Sequence, residues 1–406
     1  TPIKSSAASD VYKRQEYPPL DREAITYESE KHVHLVIIGM SRMGVAIGVE
    51  AAHLLHFPNF CRNPKYKSVI TFIDEAADKE MDFFRGRYRH YFEIASTIYY
   101  DMSGDKELKQ ILPPTRFKGK DAKFLDIEFE FIKGRAETPL IQQKVSHWAQ
   151  ASDEILSIAV CLNYPPQSVA MGLYLPDDVY DRNIPVFVRQ ETSSALLTML
   201  NSKKKEDNIH KYSHVFPFGM LDNCYDLDSP NIHMAQSIHY IYTFYNDYQT
   251  LPESLPQDKI LKKMWNEIPV AHQWSNLYSA YSIDTKLRSL GITDYLNIRL
   301  NEEQIFIISQ VEHNRWNIEK LLLGFRKPTP EEQKVIDNND TQRKEYKNKY
   351  FVHTDIRPYD ELSEGSRNYD RCITAGISLI ISKQRLETIS KFGSNTMNIL
   401  RKKRKS

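Results

Sequence analysis

His34-Leu35-Val36-Ile37-Ile38-Gly39-Met40-Ser41-Arg42-Met43-Gly44 is the stretch that decides the fold. Residues 34–38 form the nearly continuous apolar run of a strand buried on both faces. A glycine turn follows at once, and Val45–Leu55 then reads as a helix. Strand, tight turn and helix together make a phosphate site. The first amides of the helix point outward unpaired, and the helix dipole favours an anion there. The dinucleotide spacing G-x-G-x-x-G appears here as Gly39, Ser41, Gly44, with serine in place of the middle glycine. The Ser41 Cβ hinders close approach of a pyrophosphate, while its hydroxyl offers a donor. Arg42 adds a charge-assisted contact, and Met43 completes the turn. Gly48 lies where a small residue lets helix and sheet approach.

Further strands are expected outward from this unit at 69–73, 124–132, 155–162, 185–189 and 215–218, with helices at 76–100, 140–149 and 167–175. Strands alternating with helices imply right-handed crossovers and a parallel sheet. The expected class is therefore α/β: a Rossmann-like doubly wound sheet over residues 31–225. Asp74 and Glu75 end the second strand, where an acid accepts hydrogen bonds from ribose hydroxyls; capping of the next helix is the rival role for Asp74. After Asp226 the strand pattern stops. Residues 226–300 read as a helical connector rich in aromatics, among them Tyr242, Tyr248, Trp265, Trp274 and Tyr278. A helix over 302–325, a charged stretch at 331–350 and a helix within 359–381 make a third unit, 301–392.

Composition narrows the classes of function. Among 406 residues, 54 Lys+Arg balance 53 Asp+Glu, a net charge of +1, so no basic excess marks a nucleic-acid partner. No run approaches the roughly 18 apolar residues of a membrane helix. The four cysteines, Cys61, Cys161, Cys224 and Cys372, are scattered with no CxxC, which fits packed thiols in a reducing compartment and no metal site. Residues 1–30 are expected to be a disordered or non-native leader, Ser5–Gln15 resembling translated adapter sequence. The basic end, 393–406, reads as a solvated tail.

Two resemblances follow from these residues. Segment 33–220 resembles the nucleotide-binding domain of potassium-transport regulators, the TrkA-N or RCK type. The likeness rests on Gly39, Ser41 and Gly44, on Asp74, and on Gly134-Arg135-Ala136-Glu137 in place of that family's Gly-Asp-Ala-Thr turn. It implies an adenine nucleotide or NAD as ligand, Arg135 and Ala136 near the nucleoside, and a homodimer. Residues 301–385 resemble the ryanodine-receptor repeat (RyR) domain through His313-x-x-Trp316, Gly324-Phe325, Pro358-Tyr359-x-x-Leu362 and Asp370-Arg371. That likeness implies a second ligand or partner site among His313, Arg315, Trp316, Tyr359 and Arg371. Helical geometry puts His313, Trp316 and Lys320 away from the stripe Val311, Ile318, Leu322. Arg315 points nearer the stripe, which makes burial beside Asp370 its rival role.

Catalytic signatures are missing. Tyr-x-x-x-Lys occurs only at Tyr27/Lys31, before the first strand, and neither G-x-S-x-G, HExxH nor a P-loop is found. The expected function is a cytoplasmic nucleotide-sensing regulator, or the cytosolic part of a membrane protein, that acts on an ion channel or stress-response effector. The alternative is an NAD-dependent oxidoreductase or nucleotide-processing enzyme.

Overall fold

The computed structural model describes residues 18–116, 123–190, 210–219, 230–293, 295, 298–337 and 339–381. Residues 1–17, Cys224 and the basic tail lie outside them. Among the described residues no helix is long and apolar enough to cross a membrane. Residue contacts divide the chain into two units, one holding 18–225 and 314–362, the other 226–313 and 363 onward.

The first unit is a mixed α/β sheet of eight strands: β1 (His32–Ile38), β2 (Ser68–Asp74), β3 (Thr97–Asp101), β4 (Leu108–Leu112), β5 (Ile127–Lys133), β6 (Glu154–Val160), β7 (Val186–Arg189) and β8 (Val215–Phe218). Their order is β4-β3-β5-β2-β1-β6-β7-β8. All pairings are parallel except β3 with β4. Setting β3 and β4 aside, the order is the Rossmann-like doubly wound one, with its switch point between β1 and β6. Alternation along β1 explains the apolar run. Val33, Leu35 and Ile37 enter one core with side chains of α1 (Arg42–Ala52), α3 (Ala77–Arg87) and α4 (Arg89–Phe92); the short α2 (Asn59–Arg62) precedes β2 in the chain. Val36 and Ile38 enter the other core, with α5 (Pro139–Gln150), α6 (Pro165–Gly172) and α7 (Asp177–Asp181). The first core also takes in Ile318, Leu321, Leu322 and Ile356 from far along the chain. Ahead of β1, residues 18–31 have no helix or strand, yet Ile25 is buried in the same core.

One expectation is corrected. Residues 76–100 are not a single helix. Helical structure ends at Phe92, Thr97–Asp101 is a strand, and Leu108–Leu112 pairs with it antiparallel. Of the residues of β4, Leu-Lys-Gln-Ile-Leu, only Ile111 favours a strand by itself. Pairing to the aromatic and β-branched β3 supplies the rest, as tertiary context commonly does. The third expected strand also starts later, at Ile127.

Some polar side chains of the central strands are satisfied laterally. His34 on β1 lies 2.8 Å from Glu154 on β6 through Nδ1 and 2.8 Å from Thr71 on β2 through Nε2. The Thr71 hydroxyl donates to Glu130 on β5 at 3.1 Å. Four strands are thereby tied by one chain of buried side chains.

The second unit is helical: α8 (Pro230–Tyr248), α9 (Asp258–Glu267), α10 (Val270–Tyr281), α11 (Ile283–Ser289), the first part of α12 (Glu302–Leu322), and α15 (Glu364–Ala375). Two further helices, α13 (Pro330–Asp337) and α14 (Asp340–Tyr350), belong to the sheet unit. The helical core gathers Met234, Ile238, Ile241, Trp265, Ile283, Leu287, Ile308 and Ile377. Of the connector aromatics, Trp265 and Tyr278 are buried, while Tyr242, Tyr248 and Trp274 stay exposed.

Candidate functional site

The glycine turn lies at the carboxyl end of β1, beside the switch point. Gly39 adopts φ +99°, a left-handed conformation that suits glycine, and its amide donates to the Ile73 carbonyl at 2.8 Å. A Cβ there would lie 2.8 Å from the Cys161 carbonyl oxygen. At Gly44 a Cβ would lie 2.1 Å from the Gly39 carbonyl oxygen, and at Gly48 one would lie 2.4 Å from Phe72 Cζ. The three glycines thus let the turn fold onto itself and let α1 settle on the sheet. Replacing Gly44 with alanine should cost about 2–4 kcal/mol, since the obstacle is backbone and cannot swing away. Urea denaturation of the full chain checks this, and a loss below about 1 kcal/mol would refute the packing account.

Ser41 is the N-cap of α1. Its hydroxyl accepts from the Gly44 amide at 3.2 Å. One of the amides that could face an anion is therefore already satisfied, and the serine in the glycine's place has a local structural use. Asp74 is a hub. One carboxylate oxygen accepts from the Met40 amide at 2.8 Å and the other from the Ala76 amide at 2.8 Å. Its carbonyl accepts from Gly134 at 3.0 Å. The expected capping role is not what is seen, since the N-cap of α3 is Ala76 with no side-chain cap; Asp74 instead makes a local turn at Ala76 and ties down the glycine turn at Met40. Arg135 lies 3.4 Å from Glu75 and 3.9 Å from Glu137, all well exposed, so these ion pairs contribute little to stability. Ala136 is buried beside them and Arg42 is exposed. Gly39–Gly44, Asp74, Glu75, Arg135 and Ala136 therefore converge at the ends of β1, β2 and β5. Burial pushes the thiol of Cys161, next to the turn, up to about 12. It is no thiolate nucleophile at neutral pH.

The second set of expected residues is divided between the two units. His313 and Arg371 belong to the helical unit. His313 is buried 3.1 Å from Asp370 on α15, as packing of this helix face against the helix within 359–381 requires, and Arg371 pairs with Glu302 at 2.5 Å on the surface. Arg315, Trp316 and Tyr359 belong to the sheet unit. Arg315 is buried, as expected, and pairs with Glu319 at 2.6 Å. Trp316 is half-buried, meets His353 edge-on at 4.8 Å and carries the Lys320 ammonium 5.7 Å from its ring centre. Tyr359 is buried.

Sequence reasoning missed the charged cluster inside the sheet unit. Burial alone would raise the Glu319 carboxyl. The charges of Lys320 and Arg315, and the hydrogen bonds both donate, outweigh that and hold it at about 2. His53, closing α1, is pushed down to about 3, chiefly by burial and further by Arg315 and His56, against the pull of Glu319. The four-residue spacing of Arg315 and Glu319 was a usable signal; nothing in the sequence ties His53 to them. Among the described residues no group of histidine, cysteine and carboxylate side chains could hold a metal ion.

No protein-family model, curated protein or solved structure matches the chain.

Proposed function

We propose that the sheet unit is a nucleotide-sensing regulatory module that takes an adenine nucleotide or NAD at the Gly39–Gly44 turn. The observation that carries this is the turn's place, at the start of α1 beside the switch point of a doubly wound parallel sheet, where such folds bind ligands. The amides of Arg42 and Met43 and the Arg42 guanidinium are the donors for a phosphate. Glu75 and the second lone pairs of Asp74 face ribose hydroxyls, and Arg135 and Ala136 border the base. The TrkA-N and RyR likenesses, and with them an ion channel or stress-response effector as output, rest on the motif residues alone. Binding does regulatory work only through a difference in affinity between two states of the protein.

Titration calorimetry of the full chain with ATP, ADP, NAD and a cyclic nucleotide tests the proposal. One of them should bind, and Arg42→Ala should weaken it about tenfold, the loss of one charge-assisted contact. Arg42 is the better probe than Gly44, whose replacement disturbs the turn itself. Absence of binding by all four, or equal binding by Arg42→Ala, overturns the assignment. Steady turnover of the bound ligand would favour an enzyme instead.

A further inference from the structure

We propose that β4 is a self-pairing edge: two copies of this chain join their β4 strands antiparallel about a two-fold axis centred on Gln110. The strand is the last of the sheet, so its outer row of backbone amides and carbonyls faces away from β3. Such an edge is a template for another strand unless charge, proline or a covering element blocks it. Here four of the five residues are exposed and the fifth is half-buried, so among the described residues neither face is covered. Leu108 is 60% exposed and Ile111 64%. Two large aliphatic side chains on opposite faces of one short strand gain cover when a second strand extends the sheet.

The sequence selects the occupant and the register. A two-fold axis perpendicular to the sheet keeps each face on its own side, so only residues of like parity can stand opposite one another. Centring the axis on Lys109 sets that cation against its own copy. Centring it on Ile111 brings Pro113, which has no amide to give, into the ladder. Centring it on Leu108 carries Ile111 and Leu112 past the partner's strand. Centring it on Gln110 pairs all five residues. Leu108 then meets the partner's Leu112, Lys109 meets the partner's Ile111, and the two Gln110 amides meet each other. No like charges oppose; the Lys109 ammonium already lies 5.3 Å from the Tyr100 ring centre, which leaves its stem free to pack beside the partner's Ile111. The contact is isologous, as a two-fold pair requires. One five-residue ladder is a small interface, so the association is weak and concentration-dependent.

Sedimentation velocity of the full chain from about 1 to 100 μM tests this, a range set by the small interface. Wild type should shift reversibly from monomer to dimer. Ile111→Lys sets lysine against Lys109 twice and should weaken the dimer at least about tenfold. Adding Lys109→Glu turns both contacts into opposite-charge pairs and should restore most of the affinity. Gln110→Cys should form an inter-copy disulfide on mild oxidation, because position 110 faces itself. Circular dichroism confirms that each variant is folded, since the altered side chains are exposed. A wild type that stays monomeric throughout overturns the proposal. So does an Ile111→Lys dimer of unchanged strength, or a double variant with no recovery. Nucleotide binding by these variants is unaffected, so failure here leaves the ligand proposal standing.

Discussion

Arg315→Met should destabilise the sheet unit by about 3–5 kcal/mol, the cost of leaving a buried charge short of a partner. Glu319 is fully buried and is held by two cations, Arg315 at 2.6 Å and Lys320 at 2.8 Å. Methionine fills similar volume, so the loss measures charge and not a cavity. Denaturation by urea gives the number; a change under about 1 kcal/mol would show that the pair is not the anchor described. The pH dependence gives a second reading of the same cluster. Unfolded glutamate takes a proton near 4.5, whereas folded Glu319 resists down to about 2. Its stabilising effect is therefore present above about 4.5 and lost as pH falls toward 2. Unfolded histidine takes a proton near 6.5, whereas folded His53 resists until about 3. Its effect is complete above 6.5 and drains away below that, by up to about 1.4 kcal/mol per pH unit. Both slopes have one sign, so stability falls with acid. His53→Leu should flatten the curve between about 6.5 and 4.5, and a wild-type profile that is already flat there would contradict the depressed titration of His53.

Lys286→Met should cost the helical unit a similar 3–5 kcal/mol. Lys286 on α11 is almost wholly buried, bonds Glu312 on α12, and donates to the Ser282 hydroxyl at 2.8 Å. Removing the cation takes a buried ion-pair partner from the Glu312 carboxylate. The pair need not be a net source of stability. Replacing both members, Lys286→Met with Glu312→Leu, should recover most of the loss, because two apolar side chains avoid the desolvation that the ion pair must offset. Amide hydrogen exchange along α11 reads the effect locally. If the double variant is as weak as the single one, the pair stabilises this core in its own right.

The sheet was legible because its central strands are buried on both faces, which forces apolar runs such as Val36-Ile37-Ile38 and Ile158-Ala159-Val160. The β3–β4 hairpin was not, because Leu108–Leu112 is exposed and owes its conformation to a neighbour and not to its own pattern. Gly48 could be placed from spacing alone, since only close packing explains a glycine inside that helix. The two roles of Asp74 could not be separated from sequence; both of its oxygens accept backbone amides, one of them within the glycine turn. The face shared by His313, Trp316 and Lys320 is correct helical geometry, yet a helix face says nothing about what covers it. Asp370 and His353 do that here, and both arrive from distant sequence.

The first core of the sheet closes with Ile318, Leu321, Leu322 and Ile356. A ribosome completes all eight strands by residue 218, roughly a hundred residues before these side chains emerge. At about 5–20 residues per second the nascent sheet then waits several seconds with part of its apolar face uncovered. During synthesis part of its apolar face stays open to water, and its folding is tied to chain length rather than to local propensity. Many of its decisive contacts join residues far apart in sequence, which slows the final step. Any excised sheet that stops after β8 inherits the same uncovered face permanently.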